Sequence, residues 1–409
     1  MKETQIGSFI ELVENAIKEY WDLDALTDYE GATLQYKDVA RKIEKLHIIF
    51  NEAGIEKGDK IAVCGRNSSQ WAAAFLAVLT YGAVAVPILH EFTPEQIYNI
   101  LEHSESKLFF VGDQVWPDLN ADKMPGVQGI FGLHDFSLMV SRSETITNAR
   151  ERLNELFGKK FPKNFRKEHV SYRRDEHEEL AMINYTSGTT SQSKGVMIPY
   201  RAVWSNMDFA NGALGMSIHR GSKVVSILPM AHMYGMAFEF LYEFISGAHV
   251  FFLTKNPSPT IIFNAFSRIK PDLIVSVPLI LEKALRRAVL PKLQTPKMKL
   301  LMRMPYVKDK VITAIGNQLT EAFGGKFYEI IIGGAALNRD IEEFLHRIHF
   351  RFTIGYGLTE CAPIITYADW TMIPNGSCGR PVKHMQVKID SPDPQNAVSY
   401  THLTLPTKR

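Results

Sequence analysis

The chain of 409 residues carries 46 lysines and arginines against 44 aspartates and glutamates, with 45% hydrophobic and 22% charged residues. That balance describes a folded globular protein of two or three units and excludes disordered and fibrous classes. A net charge of +2 provides no whole-chain field to gather nucleic acid or anionic lipid, and three widely spaced cysteines, Cys64, Cys361 and Cys378, fit free thiols in a reducing compartment without metal-ligand spacing.

The segment Met1–Trp21 has acids scattered through it and no continuous apolar run, so it reads as an amphipathic helix and not as a secretory signal. "ALTDYEGATLQY" follows as two short strands around a turn at Glu30-Gly31. Val39, Ile43, Leu46 and Phe50 recur at helical spacing. "KIAVCG", "AVAVPI" and "KLFFVG" then read as strands, separated by helices at Gln70–Tyr81 and Pro94–Glu105. The run Trp71–His90 approaches the ~20 residues that span a bilayer, but Gly82 and Pro87 interrupt it and Ser68 and Ser69 offer an N-cap. A buried helix followed by a buried strand is the reading adopted.

From about Asp113 to Glu179 the pattern weakens, and "GKKFPKNFRKEHVSYRRDEHEE" mixes both signs of charge without hydrophobic periodicity, which reads as a solvated connector. Alternation resumes with "AMINY" as a strand, Tyr200–Ala213 as a helix, "KVVSILP" as a strand and Met236–Ser246 as a helix. "HVFFL", "DLIVSVP", "FYEIIIGGAAL" and "FRFTIGYG" follow as strands, with a helix over Asn338–His349 that turns Ile341, Leu345 and Ile348 to the core. Two successive runs of alternating strands and helices predict an α/β fold with two sheets and polar loops at the strand C-termini, where open α/β folds bind ligands.

One such loop is "INYTSGTTSQSKGV", Ile183–Val196, with six serine or threonine hydroxyls, two glycines and a lysine behind a short apolar run. The P-loop pattern G-x-x-x-x-G-K-[ST] fails here, because Ser193 stands where the second glycine belongs and Gly195 follows Lys194. The physics of an anion cradle survives: small residues admit backbone amides, hydroxyls donate to phosphate oxygens, and a lysine supplies a point charge. A polar surface turn is the plainer alternative. "GYGLTECAP", Gly355–Pro363, adds two glycines around Tyr356, the hydroxyl of Thr359 and the hard oxygen ligand Glu360.

At these two segments the chain resembles the adenylate-forming superfamily of acyl-CoA synthetases, luciferases and peptide-synthetase adenylation domains. "GIEKGDKIAV", "LPMAHMYG", "GGAAL" and "SCGRPV" fall in the family's order as well, and the likeness runs from about residue 10 to about residue 390. The segment order and the apolar "PMAHMYGMAFEFLYEF" most resemble long-chain fatty acyl-CoA synthetases. Ser191 and Ser193 depart from the family loop, which usually has Gly and Pro there.

The resemblance implies two stacked α/β subdomains and the start of a small β-barrel subdomain over residues 1–396. By resemblance, Thr186, Ser187, Gly188, Thr189, Thr190 and Lys194 would hold the β- and γ-phosphates of ATP. Glu360 and Thr186 would ligate Mg²⁺, and Thr359 would steady the α-phosphate. Gly333, Gly334, Ala335 and Ala336 would flank the adenine with Tyr356 and Gly357, while His232 and Met236 would line the acyl or thiol tunnel. His232 between Ala231 and Met233 has a structural histidine as its competing reading, as Tyr356 has a packed core ring.

The implied reaction joins a carboxylic acid, foremost a long-chain fatty acid, to coenzyme A through an acyl-AMP, with location in the cytoplasm and room for peripheral membrane contact. Nucleic acid is not an expected partner, and no oligomeric state is legible. Aryl or amino-acid adenylation and a nucleotide- or acyl-binding paralogue without turnover are the alternatives. The C-terminal lysine domain and the ribose-binding aspartate of the family are not found, and residues 397–409, "VSYTHLTLPTKR" with the alanine before it, resemble translated adaptor sequence. They are expected to be non-native, and the fragment is expected to turn over poorly.

Overall fold

The computed structural model describes residues 7–186, 194–255, 257–288, 295 and 305–388. Ser8 accepts a hydrogen bond from Glu11 N and opens helix α1 (Phe9–Glu19), which buries Phe9, Ile10, Val13 and Ile17. Strands β1 (Asp24–Asp28) and β2 (Thr33–Gln35) form the expected antiparallel hairpin, with Glu30 at φ 63° in the turn. Helix α2 (Tyr36–Glu52) buries the stripe Val39, Ile43, Leu46 and Phe50. Then β3 (Lys60–Cys64), α3 (Ser69–Tyr81), β4 (Val84–Ile88), α4 (Pro94–His103) and β5 (Ser106–Val111) alternate as the pattern predicts. Ser68 caps α3 by accepting from Trp71 N, Gly82 ends it at φ 92°, and all of β4 is buried. No described helix is long and apolar enough to cross a membrane.

The stretch Asp113–Glu179 corrects the connector reading. Strands β6 (Gly129–Gly132) and β7 (Leu138–Ser141) extend the sheet beyond β5, and helices α5 (Glu144–Glu151) and α6 (Leu153–Lys160) follow. Such short strands carry little periodic signal; pairing with β5 makes them. The charged tail of the stretch is also tied down. Asp175 accepts from Phe9 N and Ile10 N, and Glu14 accepts from Tyr172 N and the Arg174 guanidinium. Burial alone would raise the Glu14 pKa, but hydrogen bonds from Arg174, Lys18 and Tyr172 N outweigh it and hold the carboxyl at about 2.

Strands β8 (Leu180–Thr186) and β9 (Lys194–Pro199) complete a seven-stranded sheet ordered β7-β6-β5-β3-β4-β8-β9, parallel in its centre and antiparallel at both edges. After α7 (Tyr200–Leu214) come β10 (Lys223–Ser226), α8 (Met233–Met236), a π-helical turn (Ala237–Leu241), α9 (Tyr242–Ile245) and β11 (His249–Phe252). These are followed by α10 (Pro259–Ile269), β12 (Ile274–Ser276), α11 (Pro278–Ala288), α12 (Pro305–Ala322), β13 (Ile330–Ile332), α13 (Arg339–Arg347) and β14 (Phe352–Ile354). Leu345 and Ile348 are buried and Ile341 is partly buried, as the spacing of that last helix predicts.

Sheet membership does not follow the two runs. The first hairpin pairs in parallel with β11, giving the order β10-β11-β1-β2, and a bridge between Val224 and Leu273 joins this ladder to β12-β13-β14. "FRFTIGYG" is not one strand either: the chain leaves β14 at Gly355 and enters a small sheet of β15 (Tyr356–Gly357), β16 (Ile364–Tyr367) and β17 (Arg380–Pro381). One hydrophobic core runs between the large layers, and a smaller one lies under α4 on the far face of the first sheet. The architecture is thus mixed α/β with two large sheets and a small β unit.

Candidate active site

The carboxyl ends of the two large sheets converge, and buried or half-buried polar side chains join them. Asn67, just past β3, donates to Ser226 Oγ at 3.0 Å and to the Leu228 carbonyl at 2.6 Å, and accepts from Met230 N at 2.9 Å. Asn184 on β8 donates to the Ala231 carbonyl at 2.9 Å. Asp28, at the end of β1, accepts from the backbone and hydroxyl of Ser69. Amides and carboxylates withdrawn even partly from water need partners, so each bond fixes one loop against another.

Along β8 and β9 the antiparallel register sets Thr186 opposite Lys194 and Tyr185 opposite Gly195. These are the two stems of the hydroxyl-rich loop. Lys194 is exposed and Thr186 partly so. Ser187, Gly188, Thr189 and Thr190 lie outside the described residues.

The strand β9 that starts at Lys194 and the turn Thr359–Cys361 that carries Glu360 lie together, with Cα pairs within 8 Å. Asn206 on α7, itself buried, holds that turn by donating to the Cys361 carbonyl at 3.1 Å and accepting from Ile364 N at 3.0 Å. Gly357 makes the tight approach possible: a Cβ there would stand 2.1 Å from the Pro363 carbonyl oxygen, which accepts from Leu358 N at 2.8 Å. Gly355 N donates to the Ile332 carbonyl, so the glycine–tyrosine segment and the turn Gly333–Ala336 leave neighbouring strands side by side. Gly334 adopts φ 78°, and Gly334, Ala335 and Ala336 are exposed. Tyr356 is half-buried, between core and surface.

His232 sits where both of its readings meet. Its Nδ1 accepts from Tyr234 N at 3.3 Å and caps α8, a structural duty. The ring also remains exposed at the junction of the sheets, and the protein around it lowers its pKa by desolvation, favouring neutral imidazole. Met236 is fully buried. Tyr234 lies beneath the glycine turn: its hydroxyl donates to the Ile331 carbonyl at 3.0 Å, and a Cβ on Gly333 would come 3.0 Å from its ring.

Sequence reasoning missed Asn67, Asn184, Asn206, Tyr234 and Glu239. Glu239, in the π turn, is fully buried and accepts from Ile227 N, Leu228 N and the Ser226 hydroxyl, fixing the end of β10. Burial raises its pKa well above the usual value, against the lowering effect of the Leu228 and Ile227 amides and the Ser226 hydroxyl. The signal was present: a glutamate inside "GMAFEFLYEF" and an asparagine inside "AMINY" must have partners or they would be costly to bury.

Glu360 is exposed, with no hydrogen bond or ion pair to protein among the described residues. No group of three or more acid, histidine or cysteine side chains placed to hold a metal occurs among the described residues. An exposed carboxylate such as Glu360 has the hard oxygen chemistry that Mg²⁺ takes, an ion that keeps several waters and seldom uses an all-protein cage.

Among curated relatives, the long-chain-fatty-acid–CoA ligase FadD15 of Mycobacterium bovis is 24% identical over 377 residues, 86% of this chain and 60% of the relative. Long chain acyl-CoA synthetase 3 of Arabidopsis thaliana is 24% identical over 385 residues, 87% of this chain and 56% of the relative. The chain therefore spans 56% to 60% of the length of these relatives. The fold is shared with the anthranilate CoA ligase AuaEII in complex with anthranoyl-AMP, at a TM-score of 0.74 and 15% identity over 95% of this chain and 66% of that one. It is shared as well with the N-terminal domain of FACL13 from Mycobacterium tuberculosis, at a TM-score of 0.68 and 19% identity over 92% of this chain and 82% of that one. Residues 13–400 match the AMP-binding enzyme model, and the chain belongs to the AMP-binding enzyme family.

Proposed function

We propose that the protein activates a carboxylic acid, foremost a long-chain fatty acid, with ATP and passes the acyl group to coenzyme A. The supporting observation is that β9, which starts at Lys194 opposite Thr186, packs against the turn Thr359–Cys361 that bears Glu360, and that Gly333 and Gly355 leave neighbouring strands. In this reading a substrate carboxylate oxygen attacks the α-phosphorus of ATP. The bond to pyrophosphate breaks and an acyl-AMP forms; the thiol of coenzyme A then attacks the acyl carbon, and AMP leaves.

Lys194 and the hydroxyl-rich loop it closes would take the charge of the departing pyrophosphate, and Thr359 would orient the α-phosphate for in-line attack. Glu360 and Thr186 would hold Mg²⁺, which when bound withdraws charge from the phosphoryl oxygens. The purine would lie between Gly333–Ala336 and Tyr356, with Gly357 allowing close backbone approach. Met236 and neutral His232 would border the acyl or thiol path. The fatty-acid choice rests on the relatives' names and on the apolar residues of α8 and the π turn.

The test is exchange of labelled pyrophosphate into ATP, run with fatty, aromatic and amino acids and preceded by calorimetric titration with MgATP. Exchange that depends on fatty acids is the expected outcome. Exchange driven by aromatic or amino acids would move the substrate class, and nucleotide binding with no exchange for any acid would favour a binding paralogue.

A further inference from the structure

We propose that His103 and Tyr185 form a brace under the nucleotide site, with Tyr185 as a positioning residue for the hairpin stems that end in Thr186 and Lys194. This deepens the function proposed above and rests on it. Successive side chains of a strand point to opposite faces, and β8 is tied on both. On one face Asn184 bonds the Ala231 carbonyl at 2.9 Å. On the other, the buried Tyr185 hydroxyl lies 2.6 Å from His103 Nδ1, with the rings edge-on at 5.8 Å.

The partner strand is shaped to this ring. Gly195 stands opposite Tyr185, and a Cβ there would fall 3.1 Å from Tyr185 Cζ and 2.8 Å from Ile183 Cγ2. Any larger residue would push the ring or the β9 stem aside, one position from Lys194. Burial raises the Tyr185 pKa, so the phenol keeps its proton in this contact. His103 itself is exposed at the end of α4, whose packing is supplied by Ile97, Ile100 and Leu101. The imidazole lies off the buried face of that helix, and its contact with the residue before Thr186 is the use the geometry offers. A buried phenol seeking any partner is the plainer account, and the two differ in what they predict for nucleotide.

The test uses the 409-residue chain, with MgATP and a long-chain fatty acid titrated separately by calorimetry. Tyr185→Phe and His103→Leu are each expected to weaken MgATP about fivefold, the worth of one neutral hydrogen bond. The double variant should be no weaker than either single one, His103→Gln, which keeps an acceptor, should restore most of the loss, and fatty-acid affinity should not move. Unchanged MgATP affinity in Tyr185→Phe, beside a wild-type chain that binds, overturns the brace alone. If that variant unfolds at lower temperature, His103→Leu decides, and unchanged affinity there overturns the brace. Failure of the unaltered chain to bind MgATP overturns both the brace and the function beneath it.

Discussion

At the scale of single residues, the site divides into groups that motifs reveal and groups that only packing reveals. Glu360 belongs to the first kind: it is exposed, and among the described residues its turn is held by Asn206 and not by its own carboxylate. Glu360→Gln is therefore expected to leave the unfolding temperature unchanged while lowering carboxylate-dependent pyrophosphate exchange on the order of 10²-fold, the usual cost of one charge-stabilising group. Equal loss of stability would point to a structural carboxylate. Asn67, Asn184 and Asn206 belong to the second kind. Their side chains meet backbone groups from 155 to 163 positions away for Asn67 and Asn206 and 47 for Asn184. Nothing in a linear pattern tells which carbonyl an amide will find.

Among the elements, the helix that begins at Met233 shows how a local irregularity serves packing. Its π turn brings Glu239 to the amides at the end of β10, and Glu243 one turn on is fully buried. Desolvation pushes the Glu243 carboxyl up to about 8. A group whose folded pKa lies above its unfolded value of about 4.5 binds its proton more tightly when folded. Its contribution is then fully present below that value and is lost as pH rises towards 8. Glu243→Gln, neutral at every pH, is expected to gain on the wild type in thermal unfolding between pH 5 and pH 9, by on the order of a few kcal/mol at the alkaline end; parallel curves would refute it. Most of these elements were legible, since long buried helices and apolar strands keep their period. The four-residue β6 and β7 were not, because partners and not propensity make them strands.

Over the whole molecule, charge does what hydrophobic periodicity does not. The stretch between the seventh and eighth strands reads as solvated from its composition, yet Glu14 and Asp175 bind it to the first helix. Because the Glu14 carboxyl is held at about 2 in the folded chain, its contribution is present above about pH 4.5 and is lost as pH falls towards 2. Glu14→Gln should lower stability at neutral pH and flatten the acid limb of the stability profile, followed by circular dichroism across that window; an unchanged limb would show that other carboxylates govern it. The order of sheets was the least legible property of all, since a strand's residues state that it will pair but not with which neighbour. The hairpin at Glu30 was visible locally, whereas its parallel partner enters the chain only at His249.

That partnership has a consequence for synthesis. Thr27 and His249, whose side chains meet at 2.6 Å, are 222 positions apart. At translation speeds of about 5–20 residues per second, the first hairpin waits on the order of ten seconds or longer before its mate leaves the ribosome. During that interval a strand edge stands without its ladder, open to pairing with another chain at a moment that the finished fold no longer displays.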